Sequence, residues 1–361
     1  MARKQQIAVP LSAQSETPAP EQGFSLISNQ KLLDLYRWML QCRRLAEQST
    51  RLVADSGSAT ARKDPLHNEA VLAAMAIDLL ADDTVVVASN DLLPGFVKGL
   101  PLERFLQILA LSTKTARVTP KTAPLVQPIL WSDPALHLLA LSSEIADRLP
   151  IATGVALANQ VRGNARVVVV FARDEEAASD AWQECFAFAA AHDLPLLFAL
   201  DDTPMSTEKS SKSSSLAVLA RKAKSAAVPA ITVDRNDAVA VYRVACESIS
   251  RARLGRGPTL ILCQRFQLVG RSKTKLALQD ARPQCPLANM ESYLAAKGLF
   301  QQQMRVGILA RFQSKLNSLQ KVVEPKLLKP LHTSPFASIP QADSPYKPKA
   351  AIQNLPRATR G

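Results

Sequence analysis

Apolar residues recur at two periods along the chain, and the period switches many times. In "SNQKLLDLYRWMLQCRRLAEQSTRLV" Leu32, Leu35, Tyr36, Met39 and Leu40 fall on one helical face, behind Ser28 as a cap. "NEAVLAAMAIDLL", "LERFLQILAL", "PIATGVALANQVR", "AASDAWQECFAFAAAHD", "LAVLARKAKSAA" and "DAVAVYRVACESISRAR" have the same helical spacing. Between them lie short β-branched or aliphatic runs: "DTVVVAS", "ARVVVVFA", "LPLLFAL", "PAITVD" and "PTLILCQRF". "VVVV" has no polar alternation, so it predicts a strand covered on both faces. Strands that alternate with helices at this spacing predict an α/β fold, a mostly parallel sheet wrapped by helices. Residues 167–171, 195–200, 230–233 and 259–263 are the expected strands.

In such sheets ligands bind beyond the carboxyl ends of the strands. The turns there read Arg173-Asp174-Glu175, Asp201-Asp202-Thr203, Asp234-Arg235-Asn236-Asp237, and Gln267 to Ser272. Each alone suits a polar turn or a helix cap as well as a ligand site. The first is unusual in carrying two acids and an arginine at a position where phosphate-binding turns favour glycine. In the helix starting near Pro150, Ala152, Gly154, Ala156 and Ala158 permit close approach by a neighbour. That neighbour is either the sheet or another chain.

Composition sets limits on this picture. The chain has 361 residues, 47% hydrophobic and 21% charged, an ordinary balance for a globular protein with a sizeable core. Its net charge is +13, and part of that excess sits in a tail rich in Pro, Lys and Ser. Residues 1–25 and 326–361 are expected to be disordered arms around one domain at 26–325. "STEKSSKSSS" at 206–215 is a low-complexity loop, whether a lid or a linker. The five cysteines, 42, 185, 246, 263 and 285, are scattered and lack a CxxC pair. Reduced thiols are expected, not a disulfide or zinc framework. No run approaches a membrane span and no signal peptide is evident, so the expected location is cytoplasmic. The low aromatic content, 5%, and the absence of a recognisable module argue against nucleic acid. His67 and His192 read as surface or capping residues.

Taken together, several segments resemble the α subunit of the E1 component of thiamine-diphosphate-dependent 2-oxo acid dehydrogenases, of the pyruvate and branched-chain type. "LLDLYRWMLQCRRLAE" is similar to that family's opening helix, and "HNEA" stands for its Gly-Gln-Glu-Ala. "LPIATGVALA" resembles "VPLAxGxALA", "VDRNDAVAV" resembles "VDGNDVxAV", and "GPTLILCQRF" resembles "GPxLIExxTYR". The resemblance implies a thiamine-diphosphate-binding fold and a heterotetramer of two α and two β chains. It also implies transfer of an acyl group to the lipoyl arm of an E2 chain.

The resemblance fails where the cofactor would sit. "ARDEEAASDAW" replaces the family's Gly-Asp-Gly motif, in which the aspartate and a later Asn-Asn hold Mg²⁺ and the metal holds the diphosphate. Of these, Asp174 remains, Arg173 and Glu175 replace glycines, and Asp202-Thr203 replaces Asn-Asn. Asn90 stands where the family has an arginine on the diphosphate. The histidine-bearing loop reads Gln267 to Ser272, leaving Arg271 as a substitute phosphate ligand. A carboxylate about 5 Å from each diphosphate charge costs roughly 3 kcal/mol at an effective dielectric near 20.

The implied cofactor ligands are Asp174, Asp202, Thr203, Asn90 and Arg271, with Asp174 and Thr203 as metal ligands. No catalytic residue carries over. The leading reading is an E1-α-like subunit with an eroded thiamine diphosphate and Mg site, a structural partner of an E1-β-type chain. The alternatives are an active oxidative decarboxylase with unusual ligands, and a basic anion-binding protein.

Overall fold

The computed structural model describes residues 27–55, 67–118, 131–141, 144–202, 212–264 and 285–326. The expected disordered arms (save Lys326, which is helical), the 206–211 part of the Ser/Lys loop, Thr203 and Arg271 lie outside the described residues. Among the described residues seven strands form one sheet: β1 (Thr84–Ala88), β2 (Trp131–Asp133), β3 (Leu138–Leu141), β4 (Val168–Arg173), β5 (Leu196–Asp201), β6 (Ala230–Asp234) and β7 (Thr259–Gln264). Their order is β2-β3-β1-β4-β5-β7-β6. Every pairing is parallel except that of β2 with β3 at the edge. The α/β fold read from the sequence is the one observed.

The alternation of side chains along each strand sorts the core into two layers. Val169 and Phe171 of β4, Leu197 of β5 and Ile261 of β7 join one cluster. Their neighbours Val168, Val170, Phe198 and Leu260 join the other. The first layer is covered by α1 (Asn29–Asp55), α2 (Glu69–Ala76), α3 (Leu93–Lys98), α4 (Leu102–Val118), α8 (Ala238–Arg253), α9 (Pro286–Ala296) and α10 (Gln302–Lys326). The second is covered by α5 (Ile145–Val161), α6 (Ala181–Ala191) and α7 (Lys212–Ser225). "VVVV" therefore has no polar position because both faces of β4 are buried.

Local signals read from the sequence recur here. Ser28 Oγ accepts the backbone N–H of Lys31 at 3.2 Å, as an N-cap should. All five thiols are free. Helix α5 differs from the expectation: it begins at Ile145, not near Pro150, and carries that proline within its second turn. Elements without a strong pattern, α3, β2, β3, α9 and α10, were not legible. A three-residue strand has no measurable period. In α10 the buried Ile308, Phe312 and Leu316 are too narrow a stripe to stand out. No helix of the described residues is long and apolar enough to cross a membrane.

Candidate functional site

A cavity of about 370 Å³ opens beyond the carboxyl ends of β1, β4 and β5. Parallel register builds it: Arg173 of β4 lies directly beside Asp201 of β5. Asp174 and Asp202 each follow one residue later on these adjacent strands, which run about 4.8 Å apart. Asp174 is buried, 6% exposed, at the start of a single turn of 3₁₀ helix, Asp174–Glu176. Asp202 is half-buried and donates its N–H to Cys263 O at 2.9 Å. Asn90 lies on the cavity wall and is exposed. The structure thus brings Asp174, Asp202 and Asn90 to one end of the sheet.

The cavity is acidic. Asp91, Glu144, Glu175, Glu176 and Asp201 line it, against the guanidinium groups of Arg148 and Arg173. Both arginines are engaged by carboxylates of this chain. Arg173 lies 3.5 Å from Asp91 and 3.7 Å from Glu175. Burial works against its charge, but Asp91, Glu175 and Glu176 outweigh burial and hold its pKa above the ordinary arginine value. Arg148, 1% exposed in its side chain, pairs with Glu176 and donates to Phe171 O at 3.2 Å. Glu176 also accepts the N–H of Arg173 at 2.9 Å. Burial raises the Glu176 pKa, opposed by Arg148.

A third arginine completes the pattern beside the cavity. Arg235, fully buried, makes a two-pronged bond to Asp201 at 2.8 and 3.0 Å. Arg173 and Arg235 both stand where the resembled family has glycine, and each has an acid placed to meet it. Sequence reasoning missed Asp91, Arg148 and Asp201 as members of this network. The salt bridges join Arg173 to Asp91 and Glu175, while Asp180 faces Lys222 at 3.6 Å. Glu175 is therefore a paired carboxylate, not an isolated repulsive one.

Other strand-end acids have local work. Asp237 caps α8, its Oδ1 accepting from Val239 N at 3.1 Å and Ala240 N at 3.0 Å. Asp234 Oδ1 accepts from Asn236 N at 3.0 Å, an Asx turn. These two fulfil the cap and turn reading. Behind the cavity, "CRRLAE" and "HNEA" meet: Arg43 of α1 pairs with the buried Glu69 that opens α2.

His67, beside this pair, departs from the surface or capping role expected of it. It is half-buried with φ 50°, Asn68 takes the N-cap position, and its Nδ1 is buried without a hydrogen-bond partner. The burial of Asn68 and Glu69 next to it draws His67 inward. His192 does behave as expected, exposed at the C-cap of α6.

Burial, with Arg43 adding to it and Glu69 opposing, holds the His67 pKa below the ordinary histidine value of 6.5. The folded state then resists a proton that the unfolded state accepts. Stability should therefore fall as pH drops through about 6.5 and level off below the folded pKa. Urea titrations of His67→Asn, a residue that tolerates positive φ, should lack this component between pH 7.5 and 5.5. An equal loss in both proteins would remove His67 as its source.

Three comparisons bear on this geometry. The sequence model of the family "Dehydrogenase E1 component" matches residues 37–327. The α subunit of the pyruvate dehydrogenase E1 component of Staphylococcus epidermidis is 31% identical over 179 residues, 46% of this chain and 48% of that protein. Its counterpart in Staphylococcus aureus is 29% identical over 181 residues, 47% of this chain and 49% of that protein. The chain spans about half the length of the curated relatives it matches. A thiamin diphosphate-dependent enzyme from Mycobacterium smegmatis aligns with a TM-score of 0.36 and 16% identity, over 55% of this chain and 31% of that one. That likeness is too slight to bear on the fold.

Proposed function

The chain belongs to the dehydrogenase E1 component family, and from that premise we propose that it is an E1-α-like subunit whose cofactor pocket has been rebuilt as an internal ion-pair network. It serves as a non-catalytic, structural partner of an E1-β-type chain, in a 2-oxo acid dehydrogenase assembly with a lipoyl-bearing E2. On this reading it works in the cytoplasm, as one domain over 26–325. The observation that carries it is Arg173, which replaces a glycine of the motif and lies in the cavity wall, paired with Asp91 and Glu175.

Thiamine diphosphate does not fit this lining. A diphosphate needs backbone that can approach closely and cations left to receive it. Here the approach carries side chains at both former glycines, and Asp91, Glu175 and Glu176 already engage the cations. Five lining carboxylates would meet the two to three negative charges of the ligand. Each unpaired contact at about 5 Å costs roughly 3 kcal/mol. Asp174 and Asp202 still offer hard oxygens of the kind Mg²⁺ takes, so the metal half is the better preserved. Thr203, their expected companion, is outside the described residues.

Substitutions that arrive with matched partners support rebuilding over simple decay. A decaying site loses residues independently and leaves buried charges exposed to desolvation. In this chain Arg173 and Arg235, the two arginines at former glycines, each meet a carboxylate.

Assembly rests on a separate surface. In α5, Ala152 and Ala156 are fully buried against the second core layer, whereas Gly154 and Ala158 face outward. Ile151 at 44% and Val161 at 79% exposure extend that outward stripe, and Phe188 of the adjoining α6 is 42% exposed. Ala152 and Ala156 pack within the chain, and the outward Gly154 and Ala158 support contact with another chain.

With an E1-β-type chain and no thiamine diphosphate present, light scattering should report a heterotetramer. Gly154→Glu should abolish it without lowering the melting temperature of the isolated chain, because nothing lies within 4 Å of an added Cβ and glutamate favours helix more than glycine does. A stable monomer that ignores every E1-β-type chain would sink the assembly half. Micromolar binding of Mg²⁺–thiamine diphosphate in calorimetry would sink the cofactor half. It would restore the active dehydrogenase reading with Arg271 as phosphate ligand.

A further inference from the structure

A second cavity, about 470 Å³, lies on the far side of α1, between that helix, the turn joining α3 to α4, and α10. Its floor is aromatic. Phe96 meets Trp38 edge-on at 5.3 Å between ring centroids, and Phe312 lies 6.1 Å from Phe96 on the other side. Its rim is basic, with Arg37 on α1 and Arg311 and Lys315 on α10, and none of the described lining residues is acidic. The strand-end cavity of the same chain is lined by five carboxylates. Two cavities of opposite sign in one chain select different ligands.

We propose that this groove docks an acidic peptide segment of a partner protein, one that inserts a single bulky apolar side chain between flanking carboxylates. Three features lead there. Arg311 and Lys315, four residues apart, share one face of α10, and both are exposed. They present two charges on one side of the apolar floor, and Arg37 presents a third on the other. A ligand charged at one end, such as a fatty carboxylate, satisfies only one side. A peptide with carboxylates before and after its anchor satisfies both, in the manner of short motifs read by a pocket and a charged rim.

Among the described residues Arg37 forms a salt bridge with Asp34 at 2.9 Å, with side chains 51% and 32% exposed. A bridge this exposed is weak and screened by solvent, so an incoming carboxylate can replace it. The chain's net charge of +13 favours encounter with an acidic partner. The inference is independent of whether the strand-end cavity binds thiamine diphosphate.

The test uses the full chain and a fluorescein-labelled synthetic peptide with one tryptophan between two pairs of glutamates, read by fluorescence polarisation. Binding should weaken at least tenfold when the tryptophan is replaced by alanine. It should also weaken at least tenfold in the double variant Arg311→Glu with Lys315→Glu. Both positions are exposed, so thermal melting of that variant should match the parent. Affinity should fall with rising salt. No binding at millimolar peptide would overturn the proposal. So would equal binding by the double variant, or equal binding by the tryptophan-free peptide, which would mark a general polyanion surface. Displacement of the peptide by dodecanoate at lower concentration would assign the groove to amphiphilic anions and overturn it as well.

Discussion

Replacing Arg148 with methionine should destabilise the protein by about 3–5 kcal/mol, the usual cost of removing one partner of a buried ion pair. Arg148 is 1% and Glu176 15% exposed in their side chains, so the abandoned carboxylate cannot recover its hydration. The loss extends further, because Arg148 also ties down Phe171 O at the end of β4. The double variant Arg148→Met with Glu176→Gln should regain most of the deficit, since no charge is left buried. Non-additivity of this kind is the signature of a direct pair.

The deficit should also depend on pH, with a definite sign. Burial holds the Glu176 pKa above the ordinary carboxylate value. A raised carboxyl pKa means that the folded state retains a proton which the unfolded state releases, so protonation favours folding and the benefit is lost as pH rises. Without Arg148 the pKa rises further. Arg148→Met should therefore be closer to the parent at pH 5 than at pH 8. Equilibrium urea unfolding at both values checks this. A single variant within 1 kcal/mol of the parent at pH 8 would show that water reaches the pair and that it does not hold this side of the cavity.

Recovering cofactor affinity should require dismantling the network as well as restoring ligands. Glu175→Gly alone removes one carboxylate but leaves Arg173 in the cavity wall against Asp91. Asn90→Arg alone adds a cation next to an existing one. Arg173→Gly alone reopens the backbone and strands Asp91 and Glu175 without their counter-charge. Each single change is expected to shift affinity for Mg²⁺–thiamine diphosphate by less than tenfold.

Arg173→Gly, Glu175→Gly, Asn90→Arg and Thr203→Asn together should raise it at least a hundredfold, about 3 kcal/mol. Groups that share one site act as a unit, so the singles should not sum to the combination. Calorimetric titration decides between the two patterns. A hundredfold gain from Glu175→Gly by itself would mean that one repulsive charge, not a rebuilt wall, governs the site.

How far this site could be read in advance follows from the range of each interaction. The continuous valines of β4, the helical face Leu32 to Leu40 and the Ser28 cap are set by residues within one or two turns of each other. A period in the sequence is therefore enough to find them. The strand-end rule then placed Asp174 and Asp202 at the right edge of the sheet, because parallel strands bring their ends together. The acids at 234 and 237 could be read as turn and cap because their bonds reach only two or three residues along the chain.

The partners of the arginines belong to another scale. Asp91 follows β1, Arg148 is on α5, and Asp201 ends β5, so their meeting with Arg173, Glu176 and Arg235 depends on strand order and register. A one-residue slip of β5 against β4 would turn Asp201 to the opposite face, away from Arg235. Sequence by itself determined the strands β1, β4, β5, β6 and β7 of the sheet, and that glycines of the motif had become charged. Only the tertiary structure decided that those charges neutralise one another. The free energy of a buried charge depends on what lies within a few ångströms in space, and chain order does not record that distance.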